Sequence, residues 1–158
     1  MASASDDGTV KLWDTRVRGE VGSLEHGYAV TAVAYSPTQI YSGGLDNAIY
    51  AWDLRTFQKS MKMTSHTDTI TYLALHPKET QLLSYSMDSL LKTWDIQPFC
   101  SGKQRLLKTF QGGKHSAEKG LLKCAWSSDG SMVTGGSADR MVHIWDEVTT
   151  QEVQYTLE

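Results

Sequence analysis

Residues 42–55 read SGGLDNAIYAWDLR, and three further stretches repeat their frame: SASDDGTVKLWDTR at 3–16, SYSMDSLLKTWDIQ at 84–97 and GGSADRMVHIWDEV at 135–148. Each copy holds a small-residue run, then an Asp (Asp7, Asp46, Asp88, Asp139) and, six residues later, a Trp followed by Asp (Trp13, Trp52, Trp94, Trp145). The Trp-Asp pairs stand at 13/14, 52/53, 94/95 and 145/146, so their spacings are 39, 42 and 51 residues. A fixed period of this size marks an array in which each unit buries its faces only against its neighbours. The third unit carries about ten extra residues beyond the roughly 40 to 45 of the others.

The small residues and the Asp predict a tight turn, since Gly and Ser admit hairpin dihedrals and the carboxylate accepts backbone or imidazole N–H groups. After it, TVKLW, AIYAW, LLKTW and MVHIW alternate in polarity and predict strands that end in an aromatic. Upstream, the trios Val30, Val33, Tyr35, then Ile70, Leu73, Leu75, then Leu121, Cys124, Trp126 mark a second strand type. As the most apolar strand it is expected innermost. His26 and His66 lie four residues before their trios, whereas His115 lies six before Leu121, a two-residue insertion. VGSLE, KSMKM, LLKTF and VQYTLE read as outer strands leading into the next repeat.

His, small-residue turn, Asp and Trp-Asp in this order resemble the WD40 family over essentially the whole chain. The resemblance implies four-stranded antiparallel blades, each carrying a His, Ser, Asp, Trp hydrogen-bonded tetrad. Carried over, the tetrads are His26, Ser42, Asp46, Trp52 and His66, Ser84, Asp88, Trp94. The first copy has Ser3, Asp7 and Trp13 without a His. The last has His115, Asp139 and Trp145 but Gly135 in place of the Ser, so both of these are incomplete. The expected fold is an all-β, partial WD40 β-propeller of about four blades, with the ring not closed by this chain. Its units are 1–24, opening inside a second strand, then 25–63, 64–110 and 111–158. Bare blade faces at both ends are expected, from a segment of a longer chain or, alternatively, a half-propeller that dimerises.

Within that family, TWDIQPF, KTFQGGKHSAEKGLLKCAWSSDGS and GGSADRMVHIWD resemble the WD-repeat branch of the U5 small nuclear ribonucleoprotein. This implies a nuclear scaffold in pre-mRNA splicing, docked on the large scaffold subunits of that particle. A second resemblance is carried by Trp13-Asp14-Thr15-Arg16 and Trp52-Asp53-Leu54-Arg55. These are similar to the box by which WD-repeat substrate receptors of cullin-RING ubiquitin ligases dock, with Arg16 and Arg55 as contacts and a cytosolic location. Family geometry also nominates Tyr28, Asp68, Asp6, Leu45, Met87 and Arg140, at inner-strand starts and narrow-face turns, as partner-binding residues.

Net charge is −3 and pI about 5.9, without the overall basic footprint of a nucleic-acid binder. Charge is nonetheless segregated. Between Ser101 and Lys123 stand Lys103, Arg105, Lys108, Lys114, Lys119 and Lys123 against Glu118 alone, leaving the rest at about −8. Such a segment suits phosphate or an acidic protein face; the alternative is a solvated outer strand whose lysines keep an edge from pairing.

Neither paired catalytic carboxylates, a GxSxG elbow, a P-loop nor a Cys-His couple is recognisable, so no enzyme and no cofactor are expected. His143 stands where other copies have Lys or Tyr, and His76 precedes Pro77 in a turn. Cys124 reads as core and Cys100 as a loop thiol; without CxxC or zinc-ligand spacing, a reducing compartment is expected. No run approaches the 18 to 20 apolar residues of a membrane span, and Met1–Asp7 has neither the charged nor the apolar region of a secretory signal. Neither membrane nor small-molecule partners are expected.

Overall fold

The computed structural model describes residues 1–99, 105–116, 120–148 and 153–157. All regular structure among them is β, in fifteen strands: β1 (Ala2–Ala4), β2 (Thr9–Trp13), β3 (Glu20–Glu25), β4 (Val30–Tyr35), β5 (Gln39–Gly44), β6 (Ala48–Asp53), β7 (Gln58–Thr64), β8 (Ile70–Leu75), β9 (Gln81–Ser86), β10 (Leu91–Asp95), β11 (Leu106–Phe110), β12 (Cys124–Trp126), β13 (Met132–Gly136), β14 (Val142–Asp146) and β15 (Val153–Leu157). They form four antiparallel meanders, one of three strands (β1-β2-β3) and three of four (β4 to β7, β8 to β11, β12 to β15). The first sheet lacks a strand equivalent to β4, β8 and β12.

The hairpins β1–β2, β5–β6, β9–β10 and β13–β14 share one construction. Gly8, Asn47, Ser89 and Arg140, each directly after the repeat Asp, have φ between 61° and 85°. Each donates its backbone N–H to the carbonyl three residues earlier, on Ser5, Gly44, Ser86 and Ser137. This is a three-residue loop in which a turn is closed by one left-handed residue. The left-handed position thus falls after the Asp and not in the small-residue run before it. Gly43 and Gly44 instead lie in β5 and serve close approach: a Cβ on Gly43 would stand 2.8 Å from Ile70 Cγ2, and one on Gly44 would overlap the Ala29 carbonyl.

Successive sheets stack face to face. Val10, Leu12 and Leu24 of the first pack with Val30, Ile40 and Trp52 of the second. Tyr41, Ile49 and Met63 of the second pack with Ile70, Leu73, Leu82 and Trp94 of the third, and Leu83, Tyr85, Leu91 and Phe110 of the third with Cys124, Val133 and Trp145 of the fourth. The first strands β4, β8 and β12 lie against one another, which makes them the inner strands. The strand expected innermost is thus the inner one, but it is not the most buried. In β4 burial alternates and Tyr35 is exposed, and Leu121 is exposed and precedes β12. The second strands β5 and β9 are instead buried along nearly their whole length, because they are paired on both edges and covered on both faces. The first and fourth sheets are packed on one face only, so this chain does not close a ring.

Candidate protein-interaction face

The tetrads explain why the narrow-face loops are fixed. In the second sheet the Trp52 indole N–H donates to Ser42 Oγ at 2.7 Å, and His26 spans Ser42 Oγ (2.9 Å) and Asp46 Oδ1 (3.2 Å). In the third, Trp94 donates to Ser84 Oγ at 2.8 Å, and His66 spans Ser84 Oγ (2.7 Å) and Asp88 Oδ2 (2.8 Å). The two imidazoles face their partners with opposite nitrogens, which leaves the linkage unchanged. A hydroxyl that accepts from the indole has its proton left for the imidazole, which in turn donates to the carboxylate. This relay requires a neutral ring. Burial, the leading cause, holds His26 and His66 below the usual histidine pKa against the opposing pull of Asp46 and Asp88. At Asp88 burial raises the carboxyl, but the His66 hydrogen bond and charge with the backbone N–H groups of Thr67 and Leu90 overcome it, and the net pKa is lowered.

In the first sheet Trp13 donates to Ser3 Oγ at 2.8 Å, while Asp7 accepts from the Thr9 N–H and hydroxyl. The fourth sheet departs from its expected partial tetrad. Among the described residues neither ring nitrogen of His115 has a hydrogen-bond partner; the ring lies edge-on to Tyr85 at 5.0 Å, and burial lowers its pKa. Trp145 donates to the Gln111 carbonyl at 2.9 Å. The cause is local: Gly135 offers no hydroxyl to join Trp145 to a histidine. Asp139 is approached by His143, with Nε2 3.6 Å from Oδ2, and that ring stands 5.9 Å from Trp145. His143, read from sequence as an ordinary strand residue, is therefore the imidazole beside this Asp. Position was the available signal, since its counterparts also brace the relay: Tyr50 stacks edge-on against His26, and Lys92 Nζ donates to the Ser65 carbonyl just before His66.

Each turn is also tied to the loop opening the next sheet. His26 N–H donates to the Gly8 carbonyl, the Asn47 side-chain amide to the Thr67 carbonyl, and the His115 backbone N–H to Ser89 Oγ. The turns and inner-strand starts form a connected rim. On or beside it, Tyr28, Leu45, Asp6 and Arg140 are exposed, and Asp68 and Met87 are half-buried. Asp68 accepts from the Thr69 N–H and, through its carbonyl, from the Ser86 hydroxyl.

The remaining candidates are placed differently. Arg16 folds back on Asp14, Nη2 to Oδ2 at 2.6 Å and Nε to Oδ1 at 3.0 Å, whereas Arg55 is exposed, with its backbone N–H on Asp53. Of the basic segment, Lys103 and Lys119 lie outside the described residues, as does Cys100. Arg105 donates to the Asp95 and Gln97 carbonyls at the end of its own sheet. Lys108 reaches the fourth sheet, bonding the Glu147 carbonyl and standing 3.6 Å from its carboxylate. Lys114 is exposed. Lys123 Nζ lies 5.8 Å from the Tyr72 ring centroid. Two of the four described cations, Arg105 and Lys108, thus brace the fold through hydrogen bonds. His76 does more than fill a turn: its ring stacks edge-on to Trp126 at 4.7 Å, tying the third sheet to the fourth. The Cys124 thiol is fully buried, and burial raises its pKa, which suits packing and not reactivity.

The family model for the WD domain, G-beta repeat, matches residues 1–14, 19–53, 57–95 and 104–146, nearly the whole chain. The chain belongs to the WD40 family. Among curated relatives, this WD40 chain is 46% identical over 159 aligned residues to the U5 small nuclear ribonucleoprotein 40 kDa protein of Mus musculus, covering 99% of this chain and 44% of the relative. It is 40% identical to the pre-mRNA-splicing factor cwf17 of Schizosaccharomyces pombe, covering 99% and 46%. The Dictyostelium discoideum U5 40 kDa protein is 41% identical, with 99% and 44% covered. The chain spans less than half the length of these relatives. The comparisons give no support to the ubiquitin-ligase alternative.

Proposed function

We propose that this chain acts as a non-enzymatic protein-interaction scaffold in nuclear pre-mRNA splicing, as part of a U5-type ribonucleoprotein, with the large scaffold subunits of that particle as partners. One observation carries the reading: relatives from mouse, fission yeast and slime mould, all named for that particle or for splicing, align over 99% of the chain at 40–46% identity. The geometry supports it. The relay of buried histidines and hydroxyls holds loops in place, and its histidines are kept neutral and enclosed, which suits a rigid surface. The contact surface is the rim bearing Tyr28, Leu45, Met87, Asp6, Asp68 and Arg140, where exposed aromatic and aliphatic side chains sit among charges, as at the anchors of protein interfaces.

The test is a native pull-down of the tagged chain from its own cells, with co-purifying proteins and small RNAs read together. U5 RNA and splicing proteins are expected, and the double substitution Tyr28→Ala, Leu45→Ala should reduce both at least tenfold without lowering the melting temperature. Recovery of cullin-ligase adaptors without RNA would overturn the assignment. Undiminished recovery with the double variant would move the contact off this rim.

A further inference from the structure

The outer strand of the second sheet, β7, is the longest of the described strands and is paired on one side only, with β6. Antiparallel pairing leaves every second residue of such a strand with its N–H and C=O pointing away from the sheet. Its two faces differ in chemistry. Met63 and, beside it, Met61 and Leu106 of the third sheet belong to the packed cluster that holds Trp94. Lys59 and Lys62 are exposed and face the other way, with Nζ 4.3 Å and 5.4 Å from the centroid of the Tyr50 ring. Between β7 and the third sheet runs a groove of about 300 Å³, lined by every residue from Met61 to Ser65 and, across it, by Trp94, Arg105 and Leu106. Successive side chains of a strand point to opposite faces, so an unbroken run lines one groove only where the backbone edge itself forms the wall.

We propose that β7 is a docking edge for an extended acidic segment of a partner protein, which adds a fifth strand to the second sheet. Its alternate apolar side chains enter the groove beside Met61 and Met63, and the acidic ones between them face Lys62 and Lys59. Charge identifies this occupant. Among the described residues none of Lys59, Lys62 and Arg105 is paired with a carboxylate: Lys59 donates to the His26 carbonyl and Arg105 to the Asp95 and Gln97 carbonyls. The outer strand β3 carries Glu20 and Glu25 instead, and Lys108 of β11 is taken by Glu147. Lysines along an edge oppose its pairing with a like edge, and the same charge favours an acidic strand. Main-chain bonds to an open edge supply affinity, alternate side chains supply selectivity, and methionine adapts to irregular apolar partners. The surface is distinct from the rim bearing Tyr28 and Leu45 and does not depend on the splicing assignment.

The test is binding of the 158-residue chain to a fluorescein-labelled peptide alternating Val and Glu, read by fluorescence anisotropy. Saturable binding is expected. Lys62→Glu should weaken it at least tenfold, with unchanged far-ultraviolet dichroism because Lys62 is exposed, and a peptide alternating Val and Lys should restore binding to that variant. A peptide of the same composition with Val and Glu in separate blocks should bind at least tenfold more weakly. Methylating alternate amide nitrogens of the peptide should abolish binding in one register and spare it in the other, since only half of an added strand's N–H groups face the edge. No saturable binding, equal effects of the two methylated registers, or indifference to Lys62→Glu would overturn the proposal. So would self-association of the chain that the peptide reverses, which would make a second copy the occupant, or displacement of the peptide by an equal concentration of polyuridine RNA, which would assign the basic strand to nucleic acid.

Discussion

Two hydroxyls, on Ser42 and Ser84, carry more of the structure than their size suggests, because each is the junction of an indole donor and an imidazole. Ser84→Ala should strand the Trp94 N–H and one His66 nitrogen in the core, at a cost of about 2 kcal/mol. Ser3→Ala removes the same bond from a part-exposed Trp13 and should cost under about 0.5 kcal/mol; urea denaturation of the two variants measures the contrast. Protonation acts on the same relay. His26 and His66 have native pKa values below their unfolded ones, so the unfolded chain takes up protons first as pH falls. Their stabilisation is complete above about pH 6.5 and is lost as pH drops through that value toward the lowered native pKa. The Asp88 contribution is lost in the same direction, below about pH 4. The urea midpoint should therefore fall between pH 7.5 and 5.5, and fall less steeply in His66→Gln. Most of the relay was legible from residue spacing, because its members sit on strands of fixed register. His143 beside Asp139 was not, since no spacing rule says which of two histidines approaches a carboxylate once the bridging hydroxyl is a glycine.

At the level of single elements, hairpins and outer strands follow from local chemistry, and close packing does not. Alternation and turn residues place the strands. The extra residue that each outer strand carries opposite its Trp (Val21, Ser60, Leu107, Gln154), however, is visible only in the pairing: the register shifts at Leu12/Trp13, Ala51/Trp52, Thr93/Trp94 and Ile144/Trp145. Such a bulge bends the strand and increases its twist. The same limit applies to Gly43, whose role is set by Ile70 across the joint. Gly43→Ala should destabilise the chain by about 1 to 3 kcal/mol through overpacking, and Ile70→Ala, which removes the Cγ1 and Cγ2 atoms that the new Cβ would meet, should cost less in that background than alone. A pair of thermal melts on single and double variants decides it. Additive losses would show that the Cβ is accommodated elsewhere.

For the molecule as a whole, stability in a stacked array is a sum of sheet and joint terms, and end sheets lack one joint. Amide exchange should show this as a gradient, slowest in β5, β6, β9 and β10 and fastest in β1 to β3 and β15. Equal protection in all four sheets would contradict the additive picture.

By itself the sequence determined the repeat, its period, the all-β class and the kinship with splicing WD-repeat proteins, because these rest on residue types at fixed separations along one chain. Only the tertiary structure decided which strand is most buried, which histidine stands beside Asp139, and that Lys108 and Arg105 brace sheets. Lys108 meets Glu147 across a sheet joint, 39 positions away, whereas Asp139 meets His143 and Arg105 meets Asp95 within one sheet; in both cases periodicity along the chain does not specify which atoms meet.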